Sequence, residues 1–222
     1  MTEKIRKLAL SMGAWDVGFS KIEATEEYPS LDNAVSIVVK LSDSVVDSIT
    51  DKPTYTYFHH YRAVNALIDQ ITLKIGIILE KSGANYACVP ASQSLGREYR
   101  GLFSHKNAAV RAGLGSIGRN ALFLSPKYGP RVRLGTVLTD FDLSDGYAAA
   151  PAENPCSGCM RCVRACPAMA LSGEAFDPEN PEKKLVDAAV CSRYMKEQFQ
   201  LIGRGSVCGI CMRICPIRYR SK

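Results

Sequence analysis

Two strings of cysteines near the carboxyl end constrain this chain more than any other feature. The first has the spacing C-x2-C-x2-C-x3-C-P, and the second is an isolated cysteine followed by C-x2-C-x3-C-P. In chain order their cysteines are Cys156, Cys159, Cys162, Cys166, Cys191, Cys208, Cys211 and Cys215. Thiolates spaced by two residues on a tight turn can converge on one metal centre, so the last third of the chain is expected to fold around metal.

The arrangement predicts two [4Fe-4S] clusters with four thiolate ligands each. A C-x2-C-x2-C turn presents three thiolates to one cube, and in the bacterial run C-x2-C-x2-C-x3-C-P the fourth cysteine binds the other cluster. Cluster I is therefore assigned Cys156, Cys159, Cys162 and Cys215, and cluster II is assigned Cys166, Cys191, Cys208 and Cys211. Each of these cysteines is used once, and none is left over.

Two other uses of these cysteines fit the pattern less well. Zinc ribbons use paired C-x2-C knuckles and do not need the longer run. A disulfide framework suits a small secreted chain, whereas residues 2–12 form an amphipathic pattern without the apolar core of a signal peptide. No run approaches the ~18 apolar residues of a membrane span. We therefore expect a soluble, cytoplasmic protein that has no membrane partner.

The first two-thirds of the chain must form a core of their own, because the cluster cysteines all follow residue 155. With 222 residues and 46% hydrophobic content, the chain can bury such a core. Cys88, the remaining cysteine, lies in an apolar stretch and is expected to be a buried small hydrophobe. The net charge of +6 is either counter-charge for the clusters or an attraction for an anionic partner. The arginines among or just after the ligands are Arg161, Arg164, Arg213, Arg218 and Arg220.

Hydrophobic periodicity and turn residues predict an α+β fold with helices packed on a mixed β-sheet. Helices are predicted over residues 2–12, 57–82 and 105–112, and strands over residues 15–20, 34–41, 86–89 and 132–138. Ser104 is the expected N-cap of the third helix, and Asp187 is that of a later helix that carries Cys191. The small, polar stretch 142–155 predicts a seam between a core domain, 1–145, and a cluster domain, 146–222.

A glycine loop, AGLGSIGRN at residues 112–120, contains G-x-G-x-x-G. A dinucleotide-binding turn of this type follows a strand and opens a helix, but here the preceding residues are predicted to be helical and the following ones strand-like. Dinucleotide binding is therefore not expected. The glycines indicate instead that the backbone comes close to another element or to a flat ligand.

The glycine loop and the cysteine strings, in this order, resemble the epoxyqueuosine reductase family, which is related to the corrinoid-dependent reductive dehalogenases. The resemblance is carried by AVRAGLGSIGRNALFLSPKYGPRVRLGTVLTD, by CSGCMRCVRACPAMAL and CGICMRICP, and by IRKLALSMGAWDVGFS near the amino end. It implies a cobalamin-binding core docked on a bacterial-ferredoxin-like module. Electrons would pass from a low-potential donor such as ferredoxin or flavodoxin through the clusters to cobalt, and then to a small-molecule or protein-bound substrate.

The same resemblance implies where a corrinoid would lie. The residues that match the loop, and so become candidate corrinoid contacts, are Gly113, Gly115, Ser116, Gly118 and Asn120. No D-x-H-x-x-G motif supplies a histidine ligand to cobalt, which suits a corrinoid that must be strongly reduced. Under this hypothesis, Gly115→Val abolishes cobalamin binding and leaves the clusters intact.

Other positions depart from the members that act on tRNA. An acidic residue thought to donate a proton precedes the loop in those members, whereas residues 89–93 read VPASQ. An expected Asp-Tyr-His reads H-Y-R at residues 60–62, and the loop tryptophan and lysine are replaced by Ser116 and Arg119. The helical repeats that help such enzymes hold tRNA are not found after Cys215. A tRNA partner is therefore not expected.

His105 and Tyr61 are the candidate catalytic residues. His105 could replace the missing acid as proton donor, since an unperturbed histidine titrates near neutral pH, or it could be a turn histidine with one hydrogen bond. Tyr61 could donate a proton or bind a corrinoid amide, or it could pack as an aromatic residue near a helix start. Arg131 and Arg133 share a strand face and either meet an anion or lie at a solvated strand edge.

These features predict an iron–sulfur oxidoreductase that passes electrons through two [4Fe-4S] clusters to a corrinoid and then to a reducible substrate. One alternative is a non-enzymatic, ferredoxin-type electron carrier whose first domain is a docking or regulatory module. A second alternative is an epoxyqueuosine (tRNA) reductase. Co-purification of cobalamin separates the oxidoreductase from the carrier, and retention of RNA tests the tRNA enzyme.

Overall fold

The computed structural model describes residues 1–92, 99, 101, 103–150, 152–178, 180 and 183–217, so that Gln93, Arg218 and Arg220 lie outside it. The helices are α1 (Thr2–Ser11), α2 (Asp43–Asp47), α3 (Tyr55–Glu80), α4 (His105–Arg111), α5 (Arg161–Arg164), α6 (Ala188–Gln198) and α7 (Ile210–Arg213). The strands are β1 (Asp16–Lys21), β2 (Asn33–Lys40), β3 (Tyr86–Val89), β4 (Ser116–Ile117), β5 (Phe123–Leu124) and β6 (Val132–Thr139). In this part of the chain, no helix combines the length and the hydropathy needed to cross a bilayer.

Four strands form one antiparallel sheet in the order β1-β2-β6-β3. β2 pairs with β6 through Ser36 opposite Thr136, and β3 pairs with the other side of β6 through Cys88 opposite Val137. β2 and β3 therefore run in the same direction, with β6 inserted antiparallel between them. The expectation of a mixed sheet was wrong, because the alternation of strands and helices does not reveal that a late strand enters between two parallel ones.

The long helix α3 lies on the sheet along a continuous apolar stripe. Its buried aliphatic residues are Val64, Ile68, Ile71, Ile75 and Leu79. Each such side chain contributes about 1.5–3 kcal/mol when it leaves water. Gly76 marks the closest approach of the helix to β3, since a Cβ there would lie 2.0 Å from the ring of Tyr86.

The helix starts follow capping residues. Ser104 and Asp187, both expected from the sequence, accept hydrogen bonds from the helix N–H three residues further on, at 3.3 and 2.9 Å. Thr54 makes the same contact at 3.1 Å and starts α3 two residues earlier than predicted. Each cap satisfies an N–H that has no partner within the helix.

Arg131 is buried immediately before β6 and is not at a solvated strand edge. Its side chain is 0% exposed, and its guanidinium nitrogens lie 3.0 Å from the Asp43 carboxylate and 2.6 Å from that of Asp47. The strand-edge alternative was wrong because β6 occupies an interior position in the sheet. Through these ion pairs the arginine instead links the sheet to α2, which carries both carboxylates.

Residues on both sides of the predicted seam share one apolar core. The region after residue 155 contributes four buried residues to the core that also contains Ile5, Ile37 and Ile71: Phe199, Val207, Ile210 and Met212. The first residues of the predicted seam pack against β1, since a Cβ on Gly146 would lie 2.6 Å from the ring of Phe19. The division into domains at residue 145 stays a prediction.

Candidate iron–sulfur centre and adjoining cleft

The cysteines assigned to cluster I line one small cavity: Cys156, Cys159, Cys162 and Cys215. α5, which carries Cys162, packs against α7, which ends shortly before Cys215. Burial, together with the charges of Cys156 and Cys162, raises the pKa of the Cys215 thiol to about 11. The structure thus brings this set together, and which thiolates bind iron stays a prediction.

The cysteines assigned to cluster II form a second group: Cys166, Cys191, Cys208 and Cys211. Burial raises the pKa of the Cys208 thiol to about 11, and the charges of Cys191 and Cys166 raise it further. Burial also raises the pKa of Cys211, and the charges of the other three cysteines of this group, Cys208, Cys191 and Cys166, raise it further. Because thiols with raised pKa values are protonated at neutral pH, cluster assembly here must release protons.

The two groups are adjacent. Cys162 of the first group raises the pKa of Cys211 in the second, so these two thiols lie within electrostatic reach of each other. Among the described residues, no three cysteine, histidine or carboxylate side chains converge as ligands of a metal ion do.

Local structure carries Cys191 to the second group. Asp187 caps α6, and its own N–H donates to the carbonyl of Ala170 at 2.8 Å. Ala170 follows the Cys166 turn, in which Met169 N–H donates to the Cys166 carbonyl at 3.0 Å. The start of α6 is therefore anchored beside Cys166, and its cap is the one predicted from the sequence, whereas ligation of cluster II by Cys191 stays a prediction.

The glycine loop, residues 112–120, packs directly on the cysteine segments. The Arg119 N–H points to the sulfur of Cys156 at 3.5 Å, and the Asn120 side-chain amide donates to the Cys211 carbonyl at 3.4 Å. The side-chain amide of Asn154 donates to the Ile117 carbonyl at 3.0 Å. The loop thus contacts a residue of each cysteine group. It follows α4 and enters the β4–β5 hairpin, so it is not a dinucleotide-binding turn.

Protein packing accounts for the three loop glycines. A Cβ on Gly113 would lie 2.6 Å from that of Ala148, and one on Gly118 would lie 2.7 Å from a methyl group of Leu124. A Cβ on Gly115 would lie 2.2 Å from the Leu124 carbonyl oxygen. Binding of a corrinoid by this loop, including Ser116, stays a prediction, but none is needed to explain the glycines.

A cleft of about 1650 Å³ opens beside the cysteine groups. Its walls include residues of the α+β core, such as Tyr61, His105 and Arg133, and residues of the cluster region, such as Ala188 and Met212. Met212 directly follows Cys211, and Ala188 begins the helix that carries Cys191. The cleft is larger than the 300–1,000 Å³ of most small-molecule pockets, and one wall is built from segments that hold the cluster II cysteines.

Arg133 organises one side of the cleft. Its guanidinium lies 4.3 Å from the centre of the Tyr61 ring, donates to the Asn65 side chain at 2.9 Å, and donates to the Ala91 carbonyl at 2.8 Å. A cation held over an aromatic face by two hydrogen bonds fixes the orientation of that ring. Tyr61 therefore lines the cleft with a fixed ring and also packs against the apolar core, and its role as a proton donor or corrinoid contact stays a prediction.

His105 also lines the cleft, but both of its ring nitrogens have protein partners. Nε2 lies 3.0 Å from the Pro90 carbonyl, which only accepts, so Nε2 carries a proton. Nδ1 then accepts from the Thr136 hydroxyl at 2.8 Å. Burial lowers the pKa of His105, and the imidazole is accordingly neutral at pH 7. Its proposed role as proton donor stays a prediction.

Lys106 also lines the cleft, although its sequence context did not single it out. Its ammonium donates to the Ala121 carbonyl at 2.8 Å, and burial lowers its pKa. From the sequence it looks like an ordinary exposed lysine in the first turn of a short helix. The sequence feature that could have identified Lys106 is its position beside His105, in the first turn after the Ser104 cap.

Comparison with known proteins identifies the cysteine region and its relatives. A family described as a 4Fe-4S double cluster binding domain matches residues 155–218. A tetrachloroethene reductive dehalogenase of Desulfitobacterium hafniense is 31% identical over 191 residues, which cover 80% of this chain and 30% of that protein. An epoxyqueuosine reductase of Gloeobacter violaceus is 35% identical over 133 residues, which cover 55% of this chain and 38% of that protein.

Solved structures in both groups share the fold. A reductive dehalogenase whose structure was used to suggest a mechanism for B12-dependent dehalogenation superposes with a TM-score of 0.76 at 21% identity, over 98% of this chain and 32% of that one. An epoxyqueuosine reductase from Streptococcus thermophilus gives a TM-score of 0.62 at 18% identity, over 100% of this chain and 68% of that one. The chain spans about a third of the length of the curated dehalogenases that it matches. The resemblance found in the sequence is confirmed.

Proposed function

We propose that this homologue of the reductive dehalogenases and the epoxyqueuosine reductases, which carries a double [4Fe-4S] cluster domain, is an oxidoreductase acting in the cleft. One observation carries the proposal: a wall of the cleft is formed by the segments that bear Cys191 and Cys211. Electrons that reach cluster II would then have a short route to whatever occupies the cleft.

A corrinoid is the cofactor that the cleft fits best. Its volume of about 1650 Å³ leaves room for a macrocycle together with a substrate. Neutral polar side chains that can bind peripheral amides line it, among them Ser104, Asn107 and Ser172. When bound, a corrinoid supplies a strongly reducing metal centre. The protein supplies the cleft walls, the electron path and a positioned tyrosine.

The order of electron flow follows from which group adjoins the cleft. Residues next to Cys211 and Cys191 reach the cleft, so cluster II would adjoin it, and cluster I would lie behind cluster II, further from the cleft. We propose that electrons enter at cluster I and leave from cluster II. We propose Tyr61, whose ring is held by Arg133 at the cleft, as the proton donor to a substrate there.

Cobalamin binding tests the proposal. The protein, purified and reconstituted without oxygen, is expected to bind added hydroxocobalamin at micromolar concentration with about one cobalt for every eight irons. Absorption spectra with metal analysis after gel filtration give this ratio, and Tyr61→Phe should bind equally, because the ring and the Arg133 contact remain. If iron is retained and no cobalt co-elutes, the corrinoid proposal fails and the ferredoxin-type carrier becomes the better account.

The electron donor is proposed to be an acidic, low-potential carrier such as a ferredoxin or flavodoxin, docking beside cluster I. Arg161 and Arg164 on α5 and Arg213 on α7 are exposed. None of these three has an ion pair with another described residue. No acidic residue occurs in segments 155–173 and 205–217. An uncompensated basic surface around the entry cluster attracts an acidic partner and speeds its encounter.

Neutralising this basic surface tests whether an acidic electron donor docks there. In the variant with Arg161→Gln, Arg164→Gln and Arg213→Gln, reduction of the clusters by a reduced plant-type ferredoxin is expected to slow about tenfold at low salt and to match the wild type at high salt. Stopped-flow absorbance gives the rates. The control replaces three exposed lysines with glutamine: Lys4 on α1, Lys74 on α3 and Lys81 directly after α3. An equal slowing with dithionite would mean that the arginines act on the clusters and not on docking.

A further inference from the structure

Lys106 brings a positive charge to the cleft without a counter-charge from the described part of the chain. The residue lies in the first turn of α4 and is partly buried, and its ammonium donates to the Ala121 carbonyl at 2.8 Å. None of the ion pairs between described residues includes it. An ammonium has three N–H donors, so donors remain for a group that enters the cleft.

Burial of this ammonium costs free energy that a single carbonyl offsets only in part. Burial lowers the pKa of Lys106, and no carboxylate among the described residues acts to raise it again. Buried charges in proteins are normally paired, because an uncompensated one is destabilising. A cation in this state at the wall of a large cleft indicates that its counter-charge arrives with a ligand.

The other charged side chains of the described cleft wall add to this positive field. Four are cations and one is an acid: Lys106, Arg133, Lys183, Lys184 and Asp187. The Asp187 carboxylate is already engaged, because it accepts the Val190 N–H at 2.9 Å. Lys183 pairs with Glu174, so the excess of positive charge comes from the other three cations. Their summed field attracts anions into the cleft.

His105 links Lys106 to the part of the wall that Arg133 organises. The Nε2 of His105 donates to the Pro90 carbonyl, and the next carbonyl along the chain, that of Ala91, accepts from Arg133 at 2.8 Å. His105 directly precedes Lys106 on α4. A ligand anchored at Lys106 is therefore held on the same wall as Arg133 and the aromatic ring that it covers.

We propose that the Lys106 ammonium anchors an oxyanion, a carboxylate or a phosphate, of the ligand that occupies the cleft. Anionic oxygens accept short, strong hydrogen bonds from an ammonium. The inference names the ligand class of the cleft and rests on the proposal that the reaction takes place there. It does not depend on which redox cofactor is bound.

Two ligands can bring an oxyanion to this position. One is a substrate with an apolar body and a carboxylate, and the other is a complete corrinoid, whose nucleotide carries a phosphodiester. Apolar side chains line the cleft beside the cations, among them Phe103, Leu122, Val132 and Phe176. An apolar body with one charged group matches both kinds of wall, so the lining favours the substrate as the source.

Two matched pairs of probes identify the oxyanion and its source in the wild-type protein, reconstituted without oxygen. Benzoate and benzamide have nearly the same shape, and only benzoate is charged at neutral pH. Cobalamin carries the nucleotide phosphate, and dicyanocobinamide lacks it. In isothermal titration calorimetry, a substrate oxyanion predicts that benzoate binds about tenfold more tightly than benzamide. A cofactor oxyanion predicts the same preference for cobalamin over cobinamide. If neither pair is distinguished, the proposal is overturned.

The substitution Lys106→Met separates anion binding from a structural role. Methionine keeps an unbranched apolar side chain and removes the charge. The preference for the charged probe is expected to disappear, whereas urea unfolding should show unchanged or higher stability, because a poorly compensated buried charge is gone. A residue that only holds the Ala121 carbonyl would give the reverse, with lower stability and an intact preference. Lys74→Met, at an exposed position on α3, is the control and should behave like the wild type.

A second variant covers the case in which Lys106→Met does not fold. Lys106→Gln keeps a donor for the Ala121 carbonyl and loses only the charge, so it should lose the same preference. A wild-type preference in this variant would overturn the proposal. Benzoate is titrated without any corrinoid. Failure of cobalamin to bind would therefore count against the corrinoid and not against the oxyanion site.

Discussion

Replacing Cys191 by alanine is expected to remove cluster II and leave cluster I. The iron content after anaerobic reconstitution should fall from about eight atoms per chain towards about four, because a cube with three thiolates is held weakly. Cys215→Ala should have the complementary effect on cluster I, although Cys215 lies in the same string as three cluster II ligands. Iron analysis and EPR of the reduced protein give both results.

The crossed pattern is the discriminating part of this prediction. If each string held its own cluster, Cys191→Ala and Cys215→Ala would remove the same signal. Crossing is consistent with the positions of the cysteines, since Cys215 lines the same cavity as Cys156, Cys159 and Cys162. Cys88→Ala on β3 is the matched control and should keep about eight irons. An unchanged EPR spectrum in Cys191→Ala would show that the crossed assignment is wrong.

Local signals predicted those parts of the fold that depend on neighbours in sequence. The caps Ser104 and Asp187 marked helix starts correctly, and residues 86–89 form the predicted strand β3. The cysteine spacing predicted which thiols the structure brings together, because ligand turns are local and only the remote Cys191 had to be placed by a helix. These features need no knowledge of tertiary packing.

Features set by distant contacts could not be predicted in the same way. The insertion of β6 between β2 and β3 depends on pairing over about a hundred residues, and no local pattern records it. Arg131 looked like a strand-edge residue because its partners, Asp43 and Asp47, are 88 and 84 residues away. Likewise, only folding brings Tyr57 of α3 close to Gly209, about 150 residues further along the chain.

The glycine loop shows how such distant contacts change an expected result. From the resemblance alone, Gly115→Val would abolish cobalamin binding and spare the clusters. The structure predicts a broader effect, since a Cβ on Gly115 would lie 2.2 Å from the Leu124 carbonyl oxygen and 2.6 Å from the Phe123 ring. A backbone oxygen in a β-hairpin cannot move aside without breaking the β4–β5 pairing.

Gly115→Val is therefore expected to lower the free energy of unfolding by more than about 3 kcal/mol, at or above the upper end of overpacking effects. Iron content should fall as well, because the displaced hairpin carries Arg119 away from Cys156 and Asn120 away from Cys211. Urea unfolding followed by the fluorescence of Trp15, the single tryptophan, measures the first effect, and iron analysis measures the second. Lys127→Val, at an exposed position just after the hairpin, should change neither.

A Gly115→Val protein with wild-type stability and iron, and without cobalamin, would show that the loop acts only as a wall of the corrinoid site. Loss of stability and iron, as expected here, would show that the close packing at Gly115 is needed to keep the hairpin folded against the cysteine segments.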